Sequence, residues 1–166
     1  MRAVIQRVTG ASVTVGATVV GRIGTGLLVL AGFASGDDAA AVRWMAEKIV
    51  RLRIFEDDAG KMNRSVADVG GGILLVPQFT LYADAAKGNR PGFAGAAPPE
   101  RAKFLYEEMI RLLRENSGVS LETGVFGASM RVELVNDGPV TILLEREDGV
   151  GNAAGRKENR AGGESG

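Results

Sequence analysis

Hydrophobic positions recur along the chain with two spacings, and these spacings predict strands first and helices later. Residues 2–8 alternate between apolar and polar side chains, which is typical of a half-buried strand. Residues 12–15 and Thr18–Ile23 flank Gly16 and predict a hairpin. Residues 26–33 are apolar throughout, so they predict a central strand that is buried on both faces.

Two stretches carry apolar residues at helical spacing. Asp37 and Asp38 are N-cap candidates for a first helix that runs to about Arg53. A second helix is predicted from the prolines at residues 98–99, because proline is tolerated in the first turn, to about Asn116. The predicted core stripes are Val42, Met45, Ile49 and Leu52 in the first helix, and Leu105, Met109 and Leu112 in the second.

The last third of the domain reads as three strands. Residues 119–126 and 129–136 predict two of them, and a turn over residues 136–141 leads into a last strand over residues 140–145. The order of elements predicts a single α+β domain with a largely antiparallel sheet over residues 1–145. Residues 146–166 are rich in Gly, Ala, Asn and charge, which predicts a disordered tail.

The stretch over residues 72–81 changes character abruptly. Residues 73–76 predict a buried strand, and Pro77 then removes a backbone donor where a central strand tolerates the loss poorly. Gln78 and Thr80 bring polar groups to the end of this strand. The arrangement suits the floor of a site, but from this stretch alone an ordinary strand exit into a loop is the favoured interpretation.

The chain has no cysteine and no histidine. These absences exclude disulfides, a cysteine nucleophile, a Cys/His zinc site and a Ser-His-Asp triad. A hydrolase built from this chain needs another base, which is a carboxylate, a carboxylate-held metal or a group on the substrate. The acidic pair Asp57 and Asp58 belongs to the stretch Asp-Asp-Ala-Gly, which is typical of a turn, and we expect no metal there. For Arg7, at the end of the first strand, the favoured interpretation is a side chain that reaches solvent.

The charges balance, with 20 Lys and Arg against 20 Asp and Glu. Proteins that bind long nucleic-acid backbones are usually basic, so the composition favours at most a small footprint on one basic patch. Residues 87–93, in a long loop, suit contact with a phosphate or a nucleotide end, and also suit a mobile loop. No run reaches the roughly 18 apolar residues of a membrane helix, and residues 1–8 lack a signal-peptide core. We therefore expect a cytoplasmic protein without a membrane partner.

Several stretches, taken in order, resemble one family, the D-aminoacyl-tRNA deacylases of the common bacterial and eukaryotic type. The resemblance covers about residues 1–145 without large gaps. Each motif alone is weak, and their order together is highly specific. The matching stretches are residues 1–8, 60–63, 87–91, 96–99, 124–130 and 135–141.

The resemblance implies a homodimeric α+β domain with barrel-like sheets and two main helices. Such an enzyme hydrolyses the ester between a tRNA 3′ end and a D-amino acid or a mischarged glycine, with no cofactor, no metal and no DNA partner. The family signature Asn-x-Gly-Pro-x-Thr matches residues 136–141, and in the family its Gly-Pro bond is cis and enters the partner's site. Gly138 and Pro139 would then act as a chiral filter, because an L side chain would clash with their carbonyl oxygens.

The other family signature, Ser-Gln-Phe-Thr-Leu, matches residues 78–81, but Pro77 stands where the family usually has Ser. The resemblance implies that Phe79 lies against the terminal adenosine and that Gln78 and Thr80 lie near the scissile ester. Thr80 has no His or Cys to activate it, which fits the family view that the terminal 2′-OH of the tRNA assists hydrolysis. Three further positions match residues that line the pocket in the family: Arg7, Phe126 and Met130.

Three alternatives stay open at this point. A non-catalytic binder of aminoacyl-tRNA or nucleotide ends could use the same scaffold, and Pro77 is its best support. A Thr80-dependent hydrolase would act on a different ester. Pro77 also resembles a related animal deacylase that edits L-alanine on a threonine tRNA, although that relative has Ala where this chain has Phe79.

Overall fold

The computed structural model describes residues 1–116 and 118–146, and it arranges them in eight strands and two α-helices, with one 3₁₀ helix, Phe79–Tyr82. The predicted disordered tail lies outside the described residues, except for Arg146. The strands are Arg2–Val15 (β1), Thr18–Ile23 (β2), Gly26–Gly32 (β3), Phe55–Glu56 (β4), Met62–Arg64 (β5), Gly72–Pro77 (β6), Ser120–Thr123 (β7) and Met130–Glu145 (β8), and the helices are Ala39–Arg51 (α1) and Pro99–Asn116 (α2).

The main sheet has six strands. Five of them follow the order β2-β1-β3-β6-β7, and the sixth, β8, also pairs with β1. Strand β8 runs along one edge of β1, and the opposite edge pairs first with β3 and then with β2. The pairs that involve β1 are antiparallel, whereas β3–β6 and β6–β7 are parallel. Parallel neighbours need a crossover connection, and here α1 lies between β3 and β6 while α2 lies between β6 and β7. The α+β class with two main helices is confirmed, and the two parallel pairs are an addition that local patterns did not predict.

The sheet curls into a nearly closed barrel, in which β2 approaches β6 and β7. A second core fills the inside of the curl, and a larger core lies between the sheet and the two helices. Strand β6 is buried on both faces: Leu74 and Val76 point into the barrel, and Ile73 and Leu75 pack towards the helices. The buried strand predicted at residues 73–76 is therefore confirmed.

The last predicted turn is wrong. Residues 136–139 do not form a hairpin, because β8 runs through them as one strand that stays antiparallel to β1. In the register, Val8 is paired with Asn136 and Gln6 with Thr141, so four residues of β8 bulge out opposite the single residue Arg7. The Asp-Gly pair therefore starts a bulge within a strand, and β1 extends to Val15 to pair with both halves of β8.

The chain ends of the domain are tied together. Asp38 caps α1 by accepting a hydrogen bond from the Ala41 amide at 2.9 Å, as predicted. Asp37 instead binds the α-amino group of Met1 at 2.5 Å, and the Arg146 amide donates to the Met1 carbonyl at 2.8 Å. Within the described residues, no helix is long and apolar enough to cross a membrane.

Candidate active site

The polar end of β6 forms one half of the candidate site. The Gln78 amide continues the ladder by donating to the Ala31 carbonyl at 2.7 Å, and the chain then turns into the 3₁₀ helix. The side-chain amide of Gln78 donates to the Thr80 hydroxyl oxygen. Because Thr80 accepts from an amide, it is held in place by a group that cannot take its proton. This geometry favours positioning over nucleophilic attack.

Pro77, at the end of β6, lies against the segment that joins β7 to β8. A β-carbon on Gly124 would lie 3.4 Å from the Pro77 ring and 2.8 Å from the Met130 sulfur, so Gly124 lies between these two side chains. The predicted residues Pro77 and Met130 therefore share one wall of the site. Local sequence patterns gave no signal for Gly124 beyond an interruption in a predicted strand.

The buried Tyr106 connects the two segments that form this wall. The Tyr106 hydroxyl lies 3.0 Å from the Leu75 carbonyl oxygen and 3.2 Å from the Gly124 carbonyl oxygen, so one donor is shared between β6 and the segment after β7. Burial raises the pKa of Tyr106 well above its ordinary value, so the hydroxyl stays protonated and can donate. The ring of Phe126 lies 6.0 Å from the Tyr106 ring, which places Phe126 at the same wall. Tyr106 was not predicted as a site residue, and its only signal in the sequence is its place next to the core stripe of α2.

Two aromatic rings flank the polar strand end. Phe79 is 56% exposed although it is large and apolar, and its ring meets that of Phe93 edge to face at 5.2 Å. Phe93 is itself 37% exposed. Exposed aromatic faces next to polar groups suit the stacking of a nucleobase.

The bulge of β8 forms the other half of the candidate site. The Gly138–Pro139 bond is cis, as the family resemblance implied, and both residues are exposed. Gly138 has φ of +124°, and a β-carbon there would lie 2.8 Å from Val140 and 3.0 Å from an Arg7 nitrogen. The bulge therefore accepts only glycine at this position without strain.

Arg7, which lies opposite the bulge on β1, stabilises it. Its guanidinium donates to the Asp137 carbonyl at 3.1 Å and to the Ile54 carbonyl at 2.7 Å, and it lies 3.2 Å from the Asp137 carboxylate. Arg7 is only 5% exposed, so the interpretation that its side chain reaches solvent is wrong. The reason is tertiary: its two carbonyl partners lie 47 and 130 residues away in sequence.

Asn136 and Thr141 close the ends of the bulge. The Asn136 side chain accepts a hydrogen bond from the Val140 amide at 2.8 Å and donates to the Thr141 hydroxyl oxygen at 3.1 Å. The first of these bonds mimics a backbone turn, which explains why Asn suits this position. The signature residues at both ends therefore shape the bulge, and the Gly138–Pro139 segment between them is left facing solvent.

Within one chain, the two halves of the candidate site lie apart. Pro77 pairs with Ala31, and Ala31 pairs with Ala3 of β1, whereas the bulge lies opposite Arg7. Ala3 and Arg7 are four positions apart on β1, which is about 13 Å along a strand. Three strand spacings of about 4.8 Å each also lie between β8 and β6 in the sheet order. The structure therefore groups Gln78, Phe79 and Thr80 at one place, and Gly138 and Pro139 at another.

The fold and the site together define a barrel-like α+β domain whose polar strand end is built without cysteine or histidine. Comparison with known proteins makes the assignment specific. The chain belongs to the D-Tyr-tRNA(Tyr) deacylase family, whose model matches residues 4–145. The family predicted from the ordered motifs is confirmed, and so is the prediction of an enzyme.

Relatives named D-aminoacyl-tRNA deacylase align with most of this chain over nearly all of their own length. A D-aminoacyl-tRNA deacylase of Chlorobaculum tepidum is 58% identical over 145 residues, which is 87% of this chain and 97% of the relative. One of Desulfitobacterium hafniense is 60% identical over 147 residues, which is 89% of this chain and 98% of the relative.

Solved structures share the same architecture. One, described as a c-Myc DNA unwinding element binding protein, matches with a TM-score of 0.84 and 45% identity over 89% of this chain and 99% of its own. Another, described as a probable eukaryotic D-amino acid tRNA deacylase, matches with a TM-score of 0.75 over 86% of this chain and 97% of its own. The second is only 20% identical, so it supports the fold alone.

Proposed function

We propose that this protein hydrolyses the ester of D-aminoacyl-tRNA, and releases the free amino acid and the tRNA. The observation that carries the proposal is the pair of signature segments, each held by its own hydrogen-bond network. Gln78 orders the strand end through Thr80, and Arg7 and Asn136 order the bulge. The relatives from Chlorobaculum and Desulfitobacterium are named for this activity, and tRNA charging in the cytoplasm would supply the substrate.

The separation of the two halves supports a homodimeric site. A substrate at Gln78 of one chain would meet Gly138 and Pro139 of the partner subunit, because its own bulge lies too far away. Strand β8 offers a suitable interface: among the described residues it pairs only with β1, so its other edge is open. It also exposes Leu134, Val135 and Leu143, and an open apolar edge strand is a template for association.

In this arrangement, the bulge selects the handedness of the amino acid. The carbonyl oxygens of Gly138 and Pro139 would face the α-carbon, so an L side chain would clash with them while a D side chain would point away. Glycine would also pass, which extends the proposed substrates to glycine mischarged on alanine tRNA. A selector made from main-chain atoms would treat different D side chains alike.

The hydrolysis itself would use a group of the substrate. Water attacks the ester carbonyl carbon, the bond from that carbon to the ribose oxygen breaks, and the ribose oxygen leaves with a proton. The neighbouring terminal 2′-OH assists this transfer, while Gln78 and Thr80 orient the ester. Orientation and preorganised hydrogen bonds can supply a large part of a rate enhancement.

The test is deacylation of D-tyrosyl-tRNA and L-tyrosyl-tRNA by the full chain, with and without EDTA. We expect turnover of the D ester alone, unchanged by EDTA. Thr80→Ala should keep much of the activity, and a tRNA that ends in 2′-deoxyadenosine should lose most of it. Equal rates on both enantiomers would refute the chiral filter, and tight binding without turnover would favour the non-catalytic binder.

The dimer has its own test. Val135→Glu places a charge on the open edge of β8, and we expect it to yield a folded monomer, seen by sedimentation, that no longer deacylates. Glu133→Gln, on the same strand, is the matched control and should stay dimeric and active. A monomeric but fully active Val135→Glu variant would show that one chain holds a complete site.

Pro77 supports testing a second substrate. It stands in the wall beside Met130, where the family usually has Ser, and a related animal deacylase with proline there edits L-alanine on a threonine tRNA. Because this chain keeps Phe79, we expect D-tyrosyl-tRNA to be preferred over L-alanyl-tRNA(Thr). A reversed preference, restored by Pro77→Ser, would assign the chain to the L-alanine-editing type.

A further inference from the structure

The loop after the 3₁₀ helix is closed at its base. Asp84 and Gly92 exchange two backbone hydrogen bonds, each 2.8 Å long, and the Asp84 carboxylate accepts the Ala86 amide at 2.9 Å. The chain that leaves the loop is also anchored, because the Ala97 amide donates to the Phe33 carbonyl at 2.8 Å. Residues 84–92 therefore form a hairpin-like projection, which we call the basic loop, on a base tied to the main sheet.

The tip of the basic loop carries two cations. Lys87 and Arg90 are exposed, and neither has an ion pair among the contacts of the described residues. The one acidic residue of the loop, Asp84, lies at its base and is engaged with the Ala86 amide. The tip thus has a local positive charge on a chain with zero net charge, and it is well placed to bind phosphate groups.

The aromatic pair connects this loop to the candidate site. Phe93 follows the loop directly, and its ring edge meets the Phe79 ring at 5.2 Å. Phe79 in turn lies between Gln78 and Thr80 at the polar strand end. The polar strand end therefore adjoins two exposed rings, and the second ring directly follows the loop that carries the two cations.

This order of groups matches a single-stranded nucleic acid that enters the site by its end. A terminal base stacks on an aromatic face, and the phosphates on its 5′ side meet cations, which is how single strands are commonly bound. We propose that Phe93 and the basic loop bind the single-stranded 3′ end of the tRNA upstream of its terminal nucleotide, Lys87 and Arg90 through phosphates and Phe93 through the next base. This proposal rests on the proposed function and names the part of the substrate that the surface recognises.

A small footprint of this kind agrees with the zero net charge. An extended duplex contact needs many cations, whereas two phosphates need only two. The loop would then contribute to KM and to salt dependence without touching the ester. Phe93 would also position the Phe79 ring, so its loss should affect even a minimal substrate that lacks phosphodiesters.

The test compares two substrates, D-tyrosyl-tRNA and the minimal ester 3′-O-(D-tyrosyl)adenosine, which has no phosphodiester. For the double variant Lys87→Ala/Arg90→Ala, we expect kcat/KM on the tRNA to fall about tenfold or more at low salt, with the minimal ester unchanged within twofold. The slope of log(kcat/KM) against log[salt] should become shallower by about 1.4, at about 0.7 for each phosphate that is no longer bound.

The matched control is Lys48→Ala/Arg114→Ala, which removes the same charge from exposed positions on the two helices. It should leave both substrates and the salt slope unchanged. A loop variant that behaves like this control, or that slows both substrates equally, would overturn the proposal. For Phe93→Ala, we expect losses on both substrates, and rescue by Phe93→Tyr would show that an aromatic ring is required.

Binding keeps this test independent of turnover. A fluorescent single-stranded oligonucleotide that ends in CCA should bind the wild-type chain with a salt slope that the loop variant reduces and the control variant keeps. If the wild-type chain binds in this way without hydrolysing either ester, the proposed function fails while the loop assignment stands. If it hydrolyses both esters with no difference between loop and control variants, the loop assignment fails alone.

Discussion

Arg7 offers the most informative perturbation, because one buried guanidinium supports the whole bulge of β8. Replacing it by methionine keeps a similar volume in the core and takes away the guanidinium. The substitution removes the hydrogen bonds to the Ile54 and Asp137 carbonyl oxygens and the ion pair with the Asp137 carboxylate. It also removes a longer ion pair with Glu56, at 3.9 Å. Arg7→Met therefore isolates the anchor from the packing.

The expected loss of stability in Arg7→Met depends on which of its former partners stay buried. A hydrogen bond from a charged donor contributes about 1.5–3 kcal/mol, and leaving a buried carbonyl unpaired costs about 1–3 kcal/mol. The Ile54 carbonyl is buried, so leaving it unpaired lowers the stability by this amount, whereas the Asp137 side chain is 48% exposed and can form hydrogen bonds with water. We therefore expect a loss of about 2–4 kcal/mol, which lowers Tm by roughly 5–15 °C in a domain of this size.

The functional effect should be larger than a general loss of stability explains. Without Arg7, the bulge is free to move, so Gly138 and Pro139 no longer hold a defined position. We expect kcat/KM on D-tyrosyl-tRNA to fall about tenfold or more at a temperature where the variant is folded, as shown by circular dichroism. If Gly138 and Pro139 form the proposed chiral filter, turnover of L-tyrosyl-tRNA relative to the D ester should also rise.

Two variants complete this experiment. Arg7→Lys keeps the charge but cannot reach two carbonyl oxygens with one planar fork, so an intermediate loss is expected. Arg43→Met removes an exposed arginine from α1 and should change neither Tm nor discrimination. If Arg7→Met keeps its Tm within a degree or two and discriminates like the wild type, the bulge does not depend on this anchor and the argument is refuted.

Three further predictions concern the framework behind the site. Tyr106→Phe leaves the Leu75 and Gly124 carbonyl oxygens without their shared donor and should lower the free energy of unfolding, measured in urea, by about 1–2 kcal/mol; an unchanged midpoint would contradict this. Gly26→Ala places a β-carbon 1.9 Å from the carbonyl oxygen of the paired glycine of β6, so no soluble folded protein is expected, and a native circular dichroism spectrum would count against it. The Asn63 side chain, as the largest cause, holds the pKa of Asp57 below its ordinary value, so the turn is supported at neutral pH and loses that support as the pH falls through the lowered pKa. Asn63→Ala should move the carboxyl titration midpoint upward in NMR, and an unmoved midpoint would refute the assignment.

Local patterns predicted the elements whose burial follows from their own residues. The run at residues 73–76 is apolar enough to be buried whatever packs on it, and α1 and α2 have both stripes and start signals. Their stripes are buried as predicted, apart from the partly buried Leu52 just after α1. The parallel order of β3, β6 and β7 depends on how the helices cross over, which no local pattern reports.

The sequence likewise predicted some features of the candidate site and not others. The signature residues could be chosen from sequence because their order along the chain is specific. The burial of Arg7 could not be predicted, because the alternation in a strand tells on which face a side chain lies and not which groups pack against that face. The Asp-Gly pair predicted a hairpin, and the Asn136 side chain instead bonds the Val140 amide, which holds the chain in a bulge that lets β8 resume its ladder.

Among the described residues, several groups of the same chain hold the bulge in place. Val140, directly after the Gly-Pro pair, is buried in the core beneath the helices, and Ile142 and Leu144 pack against the same core. Arg7 supports the bulge from within the sheet, and Asn136 closes it from the other side. All of these interactions lie within one chain. If the Gly138–Pro139 segment acts in the partner's site, its conformation is already fixed before the two chains associate. Association would then only position the segment, without the loss of conformational entropy that ordering a flexible loop requires.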